Sequence, residues 1–329
     1  MFIINNKKTI KGVINMNNLK KIGLSALAGS LVAVSAHAAD VSLSGGASVA
    51  VTSAFDGDKT GYYMNDSVTL TVSGETDSGL TVTTSLELDG DTGQGNSFDS
   101  KSITIASDGM GTVTYAGHGG DSVIGGWDSK SPSAYEEVWD LTSGADSIIG
   151  GFSGNALWRY DSPSFGGVTV SAAYQSEAQT GNVSAYSDMG ILIKPEQVEG
   201  LEIGYATGQF DESATVLGVD VSTLYAKYAI GSVTIGYQTS ENDGPTATTT
   251  DESTEYGISF AVTDDFSVSY GEHTLDLGDS STDQVASGVS ASYTTGGATV
   301  SASFNEADAV AGVNGTDRDS FEIAVSFAF

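Results

Sequence analysis

The sequence predicts an all-β fold, a transmembrane antiparallel β-barrel of about sixteen strands with short turns at one end and longer loops at the other. Three observations carry this. Apolar and polar residues alternate with period two along most of the chain. The links between alternating runs are short and long by turns. The composition is rich in glycine, at 42 of 329 residues, and poor in charge, at 16%.

That composition also excludes several classes. The chain has no cysteine, which rules out a disulfide-stapled domain or a cysteine-ligated zinc centre. Forty-two acids face 12 bases, for a formal net charge of -30. So acidic a chain repels phosphates, and no nucleic-acid partner is expected. With 39% apolar and 9% aromatic residues the chain is too hydrophobic for plain disorder.

Taken in order, the first element is a targeting segment. From Met16 the sequence reads Asn17, Asn18, Leu19, Lys20, Lys21, followed by an apolar run from Ile22 to Val34. A basic start, an apolar core and the small residues Ala36 and Ala38 make a secretory signal peptide over 16–38, with cleavage after Ala38. The apolar run of about 13 residues is shorter than the ~20 that a spanning helix needs. Residues 1–15 read as an upstream extension, and 39–329 as one barrel domain. Five of the 12 bases and none of the acids precede residue 39, so the remainder holds seven bases against 42 acids.

The strands follow. Leu80, Val82, Thr84, Leu86 and Leu88 share one face, with Thr81, Thr83, Ser85 and Glu87 on the other. Phe321, Ile323, Val325, Phe327 and Phe329 repeat the pattern at the end of the chain. The same alternation runs through Val68–Val72, Val168–Tyr174, Leu201–Tyr205, Val233–Tyr237, Tyr256–Val262, Phe266–Tyr270, Val289–Tyr293 and Ala298–Phe304. Helical spacing is not sustained anywhere after the leader.

Turn chemistry punctuates these runs. Thr76–Gly79, Ser107–Gly109, Ala229–Ser232, Thr263–Asp265 and Thr294–Gly297 have tight-turn compositions. Between them lie longer acidic links at 89–99, 240–251, 274–283 and 305–318. A barrel of this strand number is too wide for side chains to fill, so its lumen is wet and its apolar phase faces lipid. Glu75, Glu87, Arg159, Glu202, Lys227, Glu255 and Glu322 all fall on the polar phase and are the expected pore-wall residues. Charge is expected to be absent from the apolar phase, where it costs roughly 2–4 kcal/mol near mid-membrane. Tyrosines and phenylalanines gather near strand ends, as interfacial girdles would.

Two stretches resemble a known family. Asn155-Ala156-Leu157-Trp158-Arg159-Tyr160-Asp161-Ser162-Pro163-Ser164-Phe165-Gly166-Gly167-Val168 is similar to the strand-turn-strand that follows the constriction loop of Gram-negative general diffusion porins, closest to the alphaproteobacterial type. The terminal Phe329 is similar to the last residue of such barrels. The resemblance implies an outer-membrane protein of a Gram-negative bacterium. It implies a homotrimer in outer-membrane lipid, passive diffusion of small hydrophilic solutes and ions, and a third loop folded into the lumen. One departure stands out. Family members set a row of bases on the wall against an acidic third loop, and here bases are few.

The longest non-strand segment, Gly117 to Gly154, is about 38 residues and well beyond the usual ~12–15 of an unstructured loop. In the family reading it narrows the pore, and its acids Asp121, Asp128, Glu136, Glu137, Asp140 and Asp146 form the constriction, against Lys130 alone. Acids in a narrow channel attract cations and repel anions, so cation selectivity is expected. The alternative is a solvated external loop. Arg159 and Lys227 are either wall cations facing those acids or structural ion pairs near a rim.

No cofactor and no metal site are expected. Asp56-Gly57-Asp58 and Asp89-Gly90-Asp91-Thr92-Gly93 resemble fragments of calcium loops but lack the terminal bidentate glutamate, leaving weak divalent binding by acidic loops at most. Catalysis has little support. His118 and His273 fall in separate expected loop regions and read as solvated, and no glycine-rich phosphate loop with a following lysine is present. Two other functions stay open: a closed outer-membrane barrel with a structural or adhesive role, and a barrel enzyme such as a lipid hydrolase.

Overall fold

The computed structural model describes residues 39–53, 60–89, 98–140, 151, 153–177, 184–212, 218–246, 250–280 and 282–329. The chain begins with β1 (Asp40–Ser53), β2 (Thr60–Glu75), β3 (Thr81–Asp89), β4 (Ser100–Ser107) and β5 (Gly111–His118). A two-residue pair follows, β6 (Gly120–Asp121) and β7 (Ser153–Gly154). Next come β8 (Leu157–Asp161), β9 (Val168–Gln175), β10 (Tyr186–Ile193), β11 (Leu201–Phe210), β12 (Val219–Ile230) and β13 (Val233–Asp243). The series ends with β14 (Asp251–Thr263), β15 (Phe266–Leu277), β16 (Gln284–Thr295), β17 (Ala298–Asp308) and β18 (Arg318–Ala328).

Sixteen of these strands, all but β6 and β7, form one closed antiparallel barrel in which each pairs with its neighbours in sequence. The seam is β1 against β18, in register from Gly46↔Ala328 to Thr52↔Glu322. Gly45 and Phe329 exchange reciprocal backbone hydrogen bonds of 2.9 Å below it. Closure leaves no unpaired strand edge, which a bilayer would not tolerate.

The alternation read from the sequence sorts the wall into two faces. In β9, Ser171, Ala173 and Gln175 are buried, while Val170 and Tyr174 are exposed. Val300, Phe304, Ile323 and Phe327 are exposed in the same way. The exposed apolar phase is the outer face and the polar phase lines the interior, as the width argument requires. Cross-strand hydroxyl pairs mark the inner phase: Ser73 with Thr83 at 3.0 Å and Thr104 with Thr114 at 3.1 Å.

Three expectations need correction. Strands run further into the acidic links than hydrophobic alternation indicated: β13 reaches Asp243, β15 Leu277 and β17 Asp308. Backbone pairing continues there between polar residues, because a ladder needs no apolar side chains once its hairpin is registered. His273 is not a solvated loop residue: it lies in β15, fully buried, with its ring 5.1 Å from that of Trp139. His118 ends β5, and its Nδ1–H donates to the Asp99 carbonyl. Nor is the apolar phase free of charge, since Asp66 and Lys101 point outward from β2 and β4.

Candidate lumenal constriction

The segment between β5 and β8 enters the barrel through a narrow neck. Gly120↔Gly154 and Asp121↔Ser153 pair as β6 and β7 and close its base. What pulls the loop inward is a small apolar core inside the lumen. Val123, Ile124 and Trp127 are buried against Ala116, Leu157, Ala173, Tyr186, Ala206, Val221 and Tyr225. Trp127 meets Tyr225 edge-on with ring centroids 5.2 Å apart. These wall residues occupy the inner phase of β5 and β8–β12, where alanine and valine replace the serine and threonine seen on β1–β4. Burying one such aliphatic or aromatic side chain contributes roughly 1.5–3 kcal/mol.

Polar anchors continue the seat around the wall. Asp188 Oδ2 on β10 accepts the Ile124 backbone N–H at 2.8 Å. Gln238 on β13 is held twice: its Nε2 donates to the Trp127 carbonyl and its Oε1 accepts the Lys130 N–H, each at 2.6 Å. Glu255 on β14 accepts from the Ser129 hydroxyl at 3.1 Å and from Ser131 Oγ. Ser269 on β15 accepts the Ala134 N–H at 2.9 Å. Asn305 on β17 donates to the carbonyls of Glu137 at 2.9 Å and Asp140 at 3.1 Å. Tyr135 OH donates to Glu322 on β18. The loop therefore follows the inner wall from β8 round to β18.

A glycine track in the wall makes room for it. Pro132 sits over Gly236 of β13 and Gly257 of β14, and a Cβ on Gly257 would lie 2.9 Å from both its carbonyl oxygen and its ring Cδ. Val138 sits against Gly271 of β15 in the same way, at 3.0 Å.

The far end of the loop holds the acids. Carboxylate oxygens of Glu136, Glu137 and Asp140 lie within 4.8 Å of one another, the one such trio among the described residues. Glu136 and Asp140 line a pocket of about 140 Å³ with Thr52, Tyr63, Ser303, Ser320 and Glu322. Burial and the Asp140 carboxylate beside it push the Glu136 carboxyl up to about 7. Burial, with the charges of Asp128 and Asp140, also raises Glu137. Such a group suits proton sharing at neutral pH. On the same side of the barrel, further along β18, β1 and β2, Glu87 and Asp89 of β3 line a pocket of about 290 Å³ with Ser48, Asn65, Asp66, Ser67 and Ser326. The inner phase of β1–β5 carries no lysine or arginine.

The inward bases gather elsewhere. Arg159 pairs with Asp161 at 3.0 Å and donates to the carbonyl of Ser122 at the loop root. Lys194 pairs with Glu202 at 2.8 Å, and Glu202 also accepts from Tyr225 OH at 2.7 Å. Lys227 is the register partner of Glu202. Lys130 donates to the Gly126 carbonyl at 2.7 Å, and burial lowers its pKa.

Placement thus separates the expected residues. Glu136, Glu137 and Asp140 meet Glu322 at the loop's far end, while Asp121 and Asp128 are exposed near its root. Glu75 is exposed in the last position of β2, at the turn end of the barrel. Glu255 is only 2% exposed and lies beneath the loop, so it anchors rather than fronts the lumen. Asp146, and the calcium-loop fragments apart from Asp89, lie outside the described residues. Sequence reasoning missed Asp188, Gln238, Ser269, Asn305 and Tyr63. The legible signal was the run of inward glycines and alanines on β9–β15, too small for a wall that faces only water.

A wide transmembrane barrel with a loop folded against its inner wall is the architecture of a channel-forming protein. A profile of the Gram-negative porin family matches residues 23–329, and the chain belongs to that family. Solved structures agree on the fold. A porin refined at 1.8 Å superposes with a TM-score of 0.66 at 18% identity, covering 88% of this chain and all of its own. A triply substituted Rh. blastica porin gives 0.64 at 17% identity with the same coverage. A structure from work on the asymmetric conductivity of engineered proteins gives 0.64 at 16% identity, again over 88% and 100%. No curated protein matches. The protein is therefore an outer-membrane porin, a member of a family of channels rather than enzymes.

Proposed function

We propose that this porin passes ions and small hydrophilic solutes by passive diffusion and favours cations. The supporting observation is the placement of charge. Each base on the inner wall of β8–β12 lies beside an acid, Asp161 or Glu202, whereas Glu136, Glu137, Asp140, Glu322, Glu87 and Asp89 gather along β18 and β1–β3, where Arg318 is the one base on the inner phase of the described strands. Unbalanced carboxylates in a confined aqueous path raise the local cation concentration and exclude anions. In this reading Asp121, Asp128, Glu136, Glu137, Asp140 and Asp146 are the constriction acids. Glu75, Glu87, Glu202 and Glu322, with Arg159 and Lys227, tune the wall around them. The mature chain begins at residue 39 after removal of 16–38, needs no cofactor, and assembles as a homotrimer.

The test is planar-bilayer conductance of the refolded chain under a salt gradient. Discrete open steps with a cation-favouring reversal potential are expected. An anion-favouring potential would overturn the selectivity. A silent bilayer, with a folded barrel verified by heat-modifiable mobility, would favour a closed structural or adhesive barrel instead.

A further inference from the structure

His273 is a buried titratable group that the channel reading leaves unused. It lies on the inner phase of β15 with no exposed surface, and neither of its ring nitrogens has a hydrogen-bond partner. Among the described residues it alone has two such atoms. A neutral ring carries its proton on one nitrogen, whereas a charged ring donates from both, and here neither donor would find an acceptor. The cover over the ring is the constriction loop. Trp139 lies against it with ring centroids 5.1 Å apart. The same indole packs against Leu275, Ala286, Ala307 and Val310. The preceding Val138 sits over Gly271, where a Cβ would lie 3.0 Å from its side chain. His273 therefore forms part of the socket that holds the far end of the loop.

The charged groups around this socket are acids. Glu255 of β14 is the register partner of His273 and accepts from the Ser129 and Ser131 hydroxyls of the loop. Glu137 and Asp140 flank Val138 and Trp139 on the loop itself. On the other side β16 places Ala286 opposite His273, and the inner phases of β16 and β17 there hold Gln284, Gly288, Asn305 and Ala307, none of them charged. With the loop seated, no hydrogen bond joins the ring to any of these carboxylates. With Trp139 withdrawn, the ring would open onto a wet lumen bordered by acids, which favours an imidazolium. We propose that His273 is a proton-operated release for the constriction loop, in which charging the imidazole breaks the Trp139 seat and frees the loop's far end. This rests on the channel reading of the proposed function and adds a regulation to it. Below about 6.5, the ordinary imidazole value, the released state holds a proton that the seated state lacks, so each falling pH unit favours release about tenfold. Glu136 at the same end of the loop titrates in the opposite sense, so the contribution of His273 is read against a chain that lacks only the imidazole.

The experiment compares the full mature chain with His273→Phe and His273→Gln, neither of which titrates, from about pH 8 to about pH 5. Barrel formation is verified for each by heat-modifiable mobility, and His273→Gln decides should His273→Phe fail to fold. One readout is the frequency of conductance transitions in single-channel recording. The other is acrylamide quenching of Trp139 in detergent micelles, taken as the difference between each chain with and without Trp139→Phe. The ratio of native to variant transition frequency is expected to be flat above about 6.5 and to rise about tenfold per pH unit below it. Trp139 should become accessible to acrylamide over the same range in the native chain and not in the variants. A ratio that stays constant to about pH 5, or a Trp139 accessibility that follows pH equally in all three chains, would overturn the inference. Open steps with a constant ratio reject the release alone. Absent steps reject the channel reading, and the quenching in micelles then decides the release by itself.

Discussion

Glu136 is a carboxylate whose neighbourhood disfavours its charge. Burial comes first, then the Asp140 carboxylate beside it, and together they raise it from 4.5 to about 7. It is therefore mostly ionised above that pH and neutral below it. Cation preference is expected to fall as the pH drops through about 7, and Glu136→Gln should remove most of that dependence. Reversal potentials at about pH 8 and about pH 6 decide it, and a native channel with a flat profile would reject the role. The linkage for the seated loop has the opposite sense. A carboxyl raised on docking stabilises the docked state fully below 4.5 and ceases to do so as the pH rises through about 7. Glu255 offers a contrast, because its work is structural. Removing it in Glu255→Ala leaves the Ser129 and Ser131 hydroxyls without their acceptor, and hydrogen bonds to a charged group are worth about 1.5–3 kcal/mol each. The expected result is a looser loop, seen as noisier and larger single-channel steps with an unchanged barrel melting temperature. The sequence placed Glu255 on the inner phase correctly. It could not tell an anchor from a pore-lining acid, because that depends on which residues of a distant loop cover it.

Strands and turns were legible because the bilayer and the wet lumen impose one rule at every position. A period-two sequence with turn residues at one end meets that rule locally, and the resulting ladders of β1–β5 and β8–β18 follow chain order. The long loop obeys no such rule. Its path is fixed by contacts more than a hundred residues away, such as Ser129 to Glu255 and Asn305 to the carbonyls of Glu137 and Asp140. Its length was readable and its acids countable. Its seat along β8–β18 was not, although inward glycines and alanines hinted at it. Those glycines make the seat testable. Gly257→Val places a branched side chain into the Pro132 contact, where even a Cβ would lie 2.9 Å away. The barrel ladder can accept valine, which favours strands. The change should therefore leave barrel folding intact, displace the loop and alter conductance. Single-channel recording beside a melting curve separates the two effects, and unchanged conductance would show that the loop does not govern the pore.

The whole molecule carries a formal charge of -30, and its few bases on the inner wall of β8–β12 each lie beside an acid. Selectivity can then arise in two ways. One is a long-range field from acids at the mouths and along the lumen. The other is direct contact with carboxylates at the loop's far end. These differ in how they respond to salt. The Debye length shrinks from about 30 Å at 0.01 M to about 3 Å at 1 M ionic strength, so a field from distributed charge is largely screened at high salt. Contact with Glu136, Glu137 and Asp140 is screened far less, because those groups lie within 4.8 Å of one another and two of them are half-buried. With most acids on exposed loops and strand ends, the field should dominate at low salt and the trio should set a residual preference at high salt. The cation-to-anion permeability ratio, measured at a fixed concentration ratio from about 0.01 M to about 1 M, is expected to fall steeply and then level off above unity. Levelling at unity would remove the trio from selectivity and leave only the field. A ratio that does not change with salt would assign selectivity to direct contact alone, and Glu136→Gln should then abolish it.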